Sequence, residues 1–259
     1  MDKLINHNKK WTQNELIVAF NLYCKTPFSK IDRNNKHIIE LAGVFGRTPS
    51  SVSLKLDNFA RLDPSLQKRN ISGMSHGGKS DVEVWNEFSG NWEELAYRSE
   101  EILAALKNKA VEDNAGIDKE DLPLLAGSDR EAMVKVRINQ AFFRKTVLAS
   151  YDNRCCITGI FIPELLIASH IVPWKSDEDN RTNPCNGLCL NALHDRAFDR
   201  GFMTITQDYT IKLAEVMKRN KNRNQFFTPF DGKRINMPQR FLPSREFIDY
   251  HNRHVFIDR

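Results

Sequence analysis

At 259 residues, 41% of them hydrophobic and 27% charged, the chain is long enough for one large domain or two modest ones with buried cores. No apolar run approaches the roughly 18 residues of a membrane span, and the first residues lack the apolar core of a secretory signal; a cytoplasmic protein with no membrane partner is expected. The net charge of +5 hides a block pattern of 13 Lys/Arg against 5 Asp/Glu over 3–79, 5 against 14 over 81–131 and 20 against 13 over 132–259, and basic blocks of this kind suit a polyanion, since each neutralised phosphate releases counterions, although charge alone fits ordinary solvated faces equally well.

The first predicted element is a helix opening after Trp11. Thr12 is a good N-cap and Glu15 completes a capping box, while Leu16, Ala19, Phe20 and Tyr23 form an apolar stripe. A second helix is expected from Lys36 to Val44. Gly46 then permits a left-handed turn, Thr48 caps, and Pro49 takes the first position of a third helix, Ser50 to about Leu62. Three short helices with a glycine turn before the last resemble a helix-turn-helix or Myb-like module. Arg47, Ser50, Ser51 and Lys55 are its candidate DNA contacts, with a plain helical bundle as the competing reading. Residues 63–80 read as a polar loop. Val84, Trp85, Phe88, Trp92, Leu95 and Ala96 mark helices packing back on the first three, with both tryptophans expected in the core.

Residues 108–128 read as a linker, dividing a helical domain over 1–107 from a second domain over 129–259. The second opens on a helix, Arg130 to Ser150, on which Arg137 and Arg144 could hold phosphates. Five cysteines in a chain without a signal argue against a disulfide framework. Cys155, Cys156, Cys185 and Cys189 lack the C-x-x-C spacing of a zinc knuckle and read as small buried packing residues.

The densest chemistry follows: Arg154-Cys-Cys-Ile-Thr-Gly159, Ala168-Ser-His170-Ile-Val-Pro-Trp174, Asn186-Gly-Leu188, and His194-Asp-Arg-Ala-Phe-Asp199 before Gly201. A β-rich run ends near His170, a polar loop leads to Asn186, and an apolar stretch from about Gly187 is expected to open the helix bearing His194, Asp195 and Asp199. Asp195 and Asp199, four apart, share a helix face. Two strands around the turn Gln207-Asp208, a basic loop over 218–223 and a tail ending in His251 and His254 complete the chain; both histidines read as packing or surface residues.

This ordered set resembles the HNH (ββα-metal) endonucleases, over about residues 130–259. The resemblance implies an α+β chain: an all-α domain, then a ββα-metal nuclease domain with a flanking helix and a β-hairpin. It implies His170 as the general base, Asn186 (with Asn183 and Asn191 as nearby competitors) orienting that base or tying down the loop, and His194 at the metal or the scissile phosphate. Asp195, Asp199 and His194 would hold one divalent metal, with Lys175 and Arg196 beside the DNA. Two carboxylates favour Mg²⁺ or Mn²⁺, and His194 keeps Zn²⁺ or Ni²⁺ open. Many relatives carry His or Asp immediately before the base, where this chain has Ser169. The expected function is a metal-dependent DNA endonuclease of restriction or phage-defence type, acting on DNA and possible as a homodimer. The alternative is an inactive HNH-fold DNA-binding regulator.

Overall fold

The computed structural model describes residues 9–70, 77–118, 122, 127–219 and 224–258. The chain divides into two compact units, Met1–Lys145 and Thr146–Arg259.

The first unit is helical: α1 (Gln13–Lys25), α2 (Lys36–Phe45), α3 (Pro49–Ala60), α4 (Pro64–Gln67), α5 (Lys79–Phe88), α6 (Trp92–Lys107), α7 (Val111–Ala115) and the start of α8 (Ser128–Ser150). Local chemistry sets its ends. Thr12 and Glu15 close the capping box of α1. Gly46, at φ 61°, ends α2 in the left-handed conformation, and Thr48 caps α3 ahead of Pro49. Phe20 is wholly buried, with ring centroids 4.9 Å from Phe59 and 5.0 Å from Trp85, and Trp92 lies in the same cluster. Both tryptophans are therefore core residues.

Two short helices lie where loop and linker were expected. In α4, four residues long, Asp63 caps the start and accepts from the Tyr23 hydroxyl at 2.9 Å. In α7, five residues long, Asn114 donates to Glu100 at 2.7 Å. Neither is long enough to leave a helical period in the sequence. Part of the expected linker, including Pro123, lies outside the described residues. The division between the units falls inside α8.

The second unit is built on two antiparallel pairs. Strand β1 (Leu166–His170) pairs with β2 (Gly187–Asn191) in a register that sets Ser169 opposite Leu188 and His170 opposite Gly187. Helix α9 (Ala192–Asp199) follows β2 directly, and contacts both strands. Strands β3 (Met203–Ile205) and β4 (Ile211–Leu213) form the second pair, and α10 (Glu215–Lys218) and α11 (Arg245–His254) follow. The helix expected from Gly187 thus begins at Ala192. Every residue of β2 is buried, and a strand covered on both sides reads as the same continuous apolar run as a buried helix. Residues 220–223 of the expected basic loop lie outside the described residues.

His251 is interior: its ring stacks on Phe198 at 3.8 Å and its nitrogens reach Thr204 Oγ1 at 2.8 Å and the Phe198 carbonyl at 3.2 Å. Burial holds its pKa down to about 4, against the opposing pull of the Phe198 carbonyl. His254 rests on Tyr250 at 4.5 Å.

Candidate nuclease site

Ser169 and His170 are the last two residues of β1. Ser169 is buried, and while burial raises the pKa of Asp195 on α9, the Ser169 hydroxyl and Arg196 pull it the other way. The hydroxyl reaches no partner at full hydrogen-bond geometry. His170, next along, turns its ring to the loop that follows.

Among the contacts that hold the His170 ring is Nε2 to the Arg181 carbonyl at 2.9 Å. A carbonyl only accepts, so Nε2 carries the proton and Nδ1 is the basic nitrogen of the neutral ring. Burial lowers the pKa of His170, with the Arg181 carbonyl pulling the other way, so the ring is neutral at pH 7. Trp174 stands edge-on to this ring at 5.5 Å, and the Arg181 guanidinium lies over the indole at 5.0 Å while its Nε donates to the Trp174 carbonyl at 2.8 Å. Trp174 thus packs inside the loop.

Asn186 ties that loop to β2. Its Oδ1 accepts from the Val172 amide at 2.8 Å, and its Nδ2 donates to the carbonyls of Val172 at 3.3 Å and Asn180 at 3.2 Å. Its own carbonyl accepts from the Ile171 amide at 2.9 Å. One buried amide therefore holds both Val172, two residues after His170, and Asn180, the residue before His170's partner Arg181.

On α9, Asp195 is half-buried and Asp199 exposed. Both pKa values are raised, first by desolvation; for Asp199 the neighbouring Asp195 charge adds to this, and Arg196 and Arg200 oppose it. Two carboxylates that repel each other beside a buried hydroxyl with no satisfying partner form a donor set of hard oxygens. It suits a small divalent cation that keeps several waters. Among the described residues no three His, Cys, Asp or Glu side chains converge as a complete metal cluster, so water and substrate oxygens would fill the remaining positions.

His194 does not join the carboxylates. One residue along a helix is a rotation of about 100°, which carries its ring into the interior. Its Nδ1 donates to Asn191 Oδ1 at 3.0 Å, and Phe227 and Phe230 enclose the ring at 5.1 Å and 5.6 Å. Asn191 Oδ1 also accepts from the amides of Leu193 and His194, so His194 reinforces the N-cap of α9. In the sequence Asn191 stands only as a competitor of Asn186 for the loop asparagine, not as a helix cap. Its signal was available: an Asn directly before a helical run. It also donates to Thr158 Oγ1 at 3.2 Å, and its amide N–H points to Cys155 Sγ at 3.4 Å, which gives the buried Cys155 a hydrogen-bonding role in place of a metal-binding one.

The expected DNA contacts separate into two kinds. Arg47 is buried: its Nε and a terminal nitrogen grip Glu15 at 2.7 Å and 2.9 Å, two more bonds go to the Lys9 and Lys10 carbonyls, and its guanidinium lies 4.4 Å from the Trp11 ring centre. Lys55 is bound to buried Asp81 at 2.7 Å. Both are internal ties of the helical unit, because each faces a carboxylate that would otherwise be buried and uncompensated. Ser50 is exposed on the first turn of α3 and Ser51 half-buried beside it. Arg137 and Arg144 are exposed on α8, and Lys175, Arg196 and Arg200 are exposed in the second unit.

Compared with known proteins, residues 155–206 match the family model described as HNH endonuclease. The matched span runs from Cys155 to Thr206 and so takes in both strands of the first pair, the connecting loop, α9 and β3. A search of curated proteins found no match.

Proposed function

From the premise that the chain belongs to the HNH endonuclease family through residues 155–206, we propose that it is a metal-dependent DNA endonuclease serving restriction or phage defence in the cytoplasm. The observation that carries the reading is the pinning of His170. Its Nε2 is committed to the Arg181 carbonyl at the end of β1, one residue from the Ser169 that faces Asp195. A neutral imidazole with Nδ1 unprotonated is the form able to take a proton from water near pH 7. Asn186 keeps the loop carrying Arg181 in place, and so positions the base without touching the reacting atoms.

Asp195 and Asp199 are the residues that would hold a divalent ion, with Ser169 contributing directly or through water. Such an ion neutralises phosphate charge and stabilises a leaving 3′-oxygen. Lys175, Arg196 and Arg200 would hold flanking phosphates as point charges, and the exposed start of α3 would meet DNA through Ser50 and Ser51.

The test is nicking of supercoiled plasmid with Mg²⁺ or Mn²⁺, comparing the wild type with His170→Ala. Cleavage by the wild type and its loss in the variant is the expected result. Intact plasmid with both proteins over a wide metal screen defeats the enzyme reading, and equal nicking by both removes His170 as the base. A second reading, a DNA-binding regulator that has lost activity, draws on Ser169 standing where many relatives carry a metal ligand. Binding of DNA without cleavage in the same assay would select it.

A further inference from the structure

Away from the carboxylates, the second unit leaves an unusual amount of apolar surface uncovered. Phe161, Ile162, Leu165, Leu193 and Phe226 are between 49% and 61% exposed, and Phe226 is the most exposed large hydrophobic side chain among the described residues. Leu165, Leu193 and Phe226 rim one open groove of about 480 Å³, floored by Ile160, Pro229 and Phe230. Phe161 and Ile162 follow the groove residue Ile160 in the chain and lead into the 3-10 turn at Pro163–Leu165.

At roughly 150–200 Å² for a whole large side chain, the exposed parts of these five approach about 500 Å². That is near the upper end of what a monomer leaves uncovered, and more than half of the roughly 800 Å² each partner gives to a standard interface. The charges beside it are of both signs. Arg154 lies over Phe161 at 4.7 Å and Glu164 is exposed next to Leu165. A uniformly basic margin would repel a second copy of this chain; a margin with Arg154 and Glu164 together can pair with itself. Knob and hole also lie side by side, as an isologous contact requires, since Phe226 projects beside the groove that would receive its counterpart.

We propose that this groove is a self-association face, on which a second copy of the chain docks about a two-fold axis with each Phe226 seated in the other's groove. Leu193 and Asp195 differ by about 160° around α9, so docking leaves the carboxylate face of both copies open. The functional consequence rests on the nuclease reading: one site cuts one strand, and the pair cuts both strands of a duplex.

Sedimentation of the full chain over a concentration series tests the association by itself. The wild type is expected to form a dimer and Phe226→Asp to weaken it by about a hundredfold or more, the loss of a central aromatic anchor. Phe226→Leu should retain it. Because residue 226 is exposed, the circular dichroism of Phe226→Asp should match the wild type, and so should its melting curve at a concentration where the wild type is monomeric. A wild type that stays monomeric at the highest concentration overturns the proposal, as does a Phe226→Asp variant that dimerises as well as the wild type. On plasmid, Phe226→Asp should still nick while its linear product falls. A protein that cuts no DNA yet dimerises through Phe226 would defeat the nuclease reading and leave the association standing.

Discussion

Replacing Asn186 with alanine takes three hydrogen bonds from the loop that follows His170, and two of the groups left behind are the amide and carbonyl of buried Val172. A buried polar group deprived of its partner costs about 1–3 kcal/mol. The Asn180 carbonyl is half-buried and can turn to water, so it adds little. The loop should therefore open more easily by about 3 kcal/mol, which is roughly a hundredfold in the opening equilibrium. Hydrogen–deuterium exchange reads this locally at Val172, whose amide would exchange about a hundredfold faster, while amides in α1 keep their wild-type protection. Because Arg181 closes the same loop and its carbonyl pins His170, plasmid nicking should fall with it, by a factor of ten to about a hundred for displacement of the base on the order of 1 Å. Unchanged Val172 protection would show that the amide is not what holds the loop. Lost protection with wild-type nicking would separate the loop from the chemistry and refute the positioning role.

Three further outcomes follow from groups already described. Burial lowers the pKa of His170, so the acid limb of a pH–rate profile should have its midpoint below the ordinary 6.5 and the rate should level off above it; a midpoint above 7 contradicts an imidazole base in this setting. Glu15→Gln leaves the Arg47 guanidinium buried without its counter-charge and should destabilise the helical unit by about 3–5 kcal/mol, more than Arg47→Met, as measured by denaturant melts of each. His251, held to about 4 in the folded chain against 6.5 unfolded, is neutral when folded at any pH above that window; stability should be fully present above pH 6.5 and decline by about 3 kcal/mol as the pH falls toward 4. Melting temperatures of His251→Phe compared with the wild type across that range test this, since the variant should lose that slope.

What the sequence disclosed follows the range over which each signal acts. The cap of α1 lies within four residues, and Gly46, Thr48 and Pro49 announce one turn in three consecutive signals; both were legible for that reason. The β1–loop–α9 order was legible because the motif carries it as residue types at fixed spacing. Gly187–Asn191 misled because a buried strand and a buried helix present the same apolar run, and only the partner strand 17 to 25 residues away decides between them. Arg47 misled for a related reason. Basic and just ahead of a helix N-terminus, it looked available to a phosphate, but Glu15, 32 residues earlier, claims it. The pairing is tertiary, and nothing near Arg47 marks it.

His194 and Asp195 show how far helical geometry divides neighbours that a motif writes together. Asn191 both caps α9 and accepts from His194 Nδ1, which seats the ring against Phe227 and Phe230 rather than beside the carboxylates. The carboxylate-bearing face of α9 then presents Asp195 and Asp199, with the Ser169 hydroxyl toward Asp195. In the proposed reading, oxygen donors on that face suit Mg²⁺ or Mn²⁺. The same rotation gives α9 its other side, where Leu193 borders the apolar groove. One short helix, entered directly from β2, therefore separates a charged face suited to a phosphodiester from an apolar face suited to a protein.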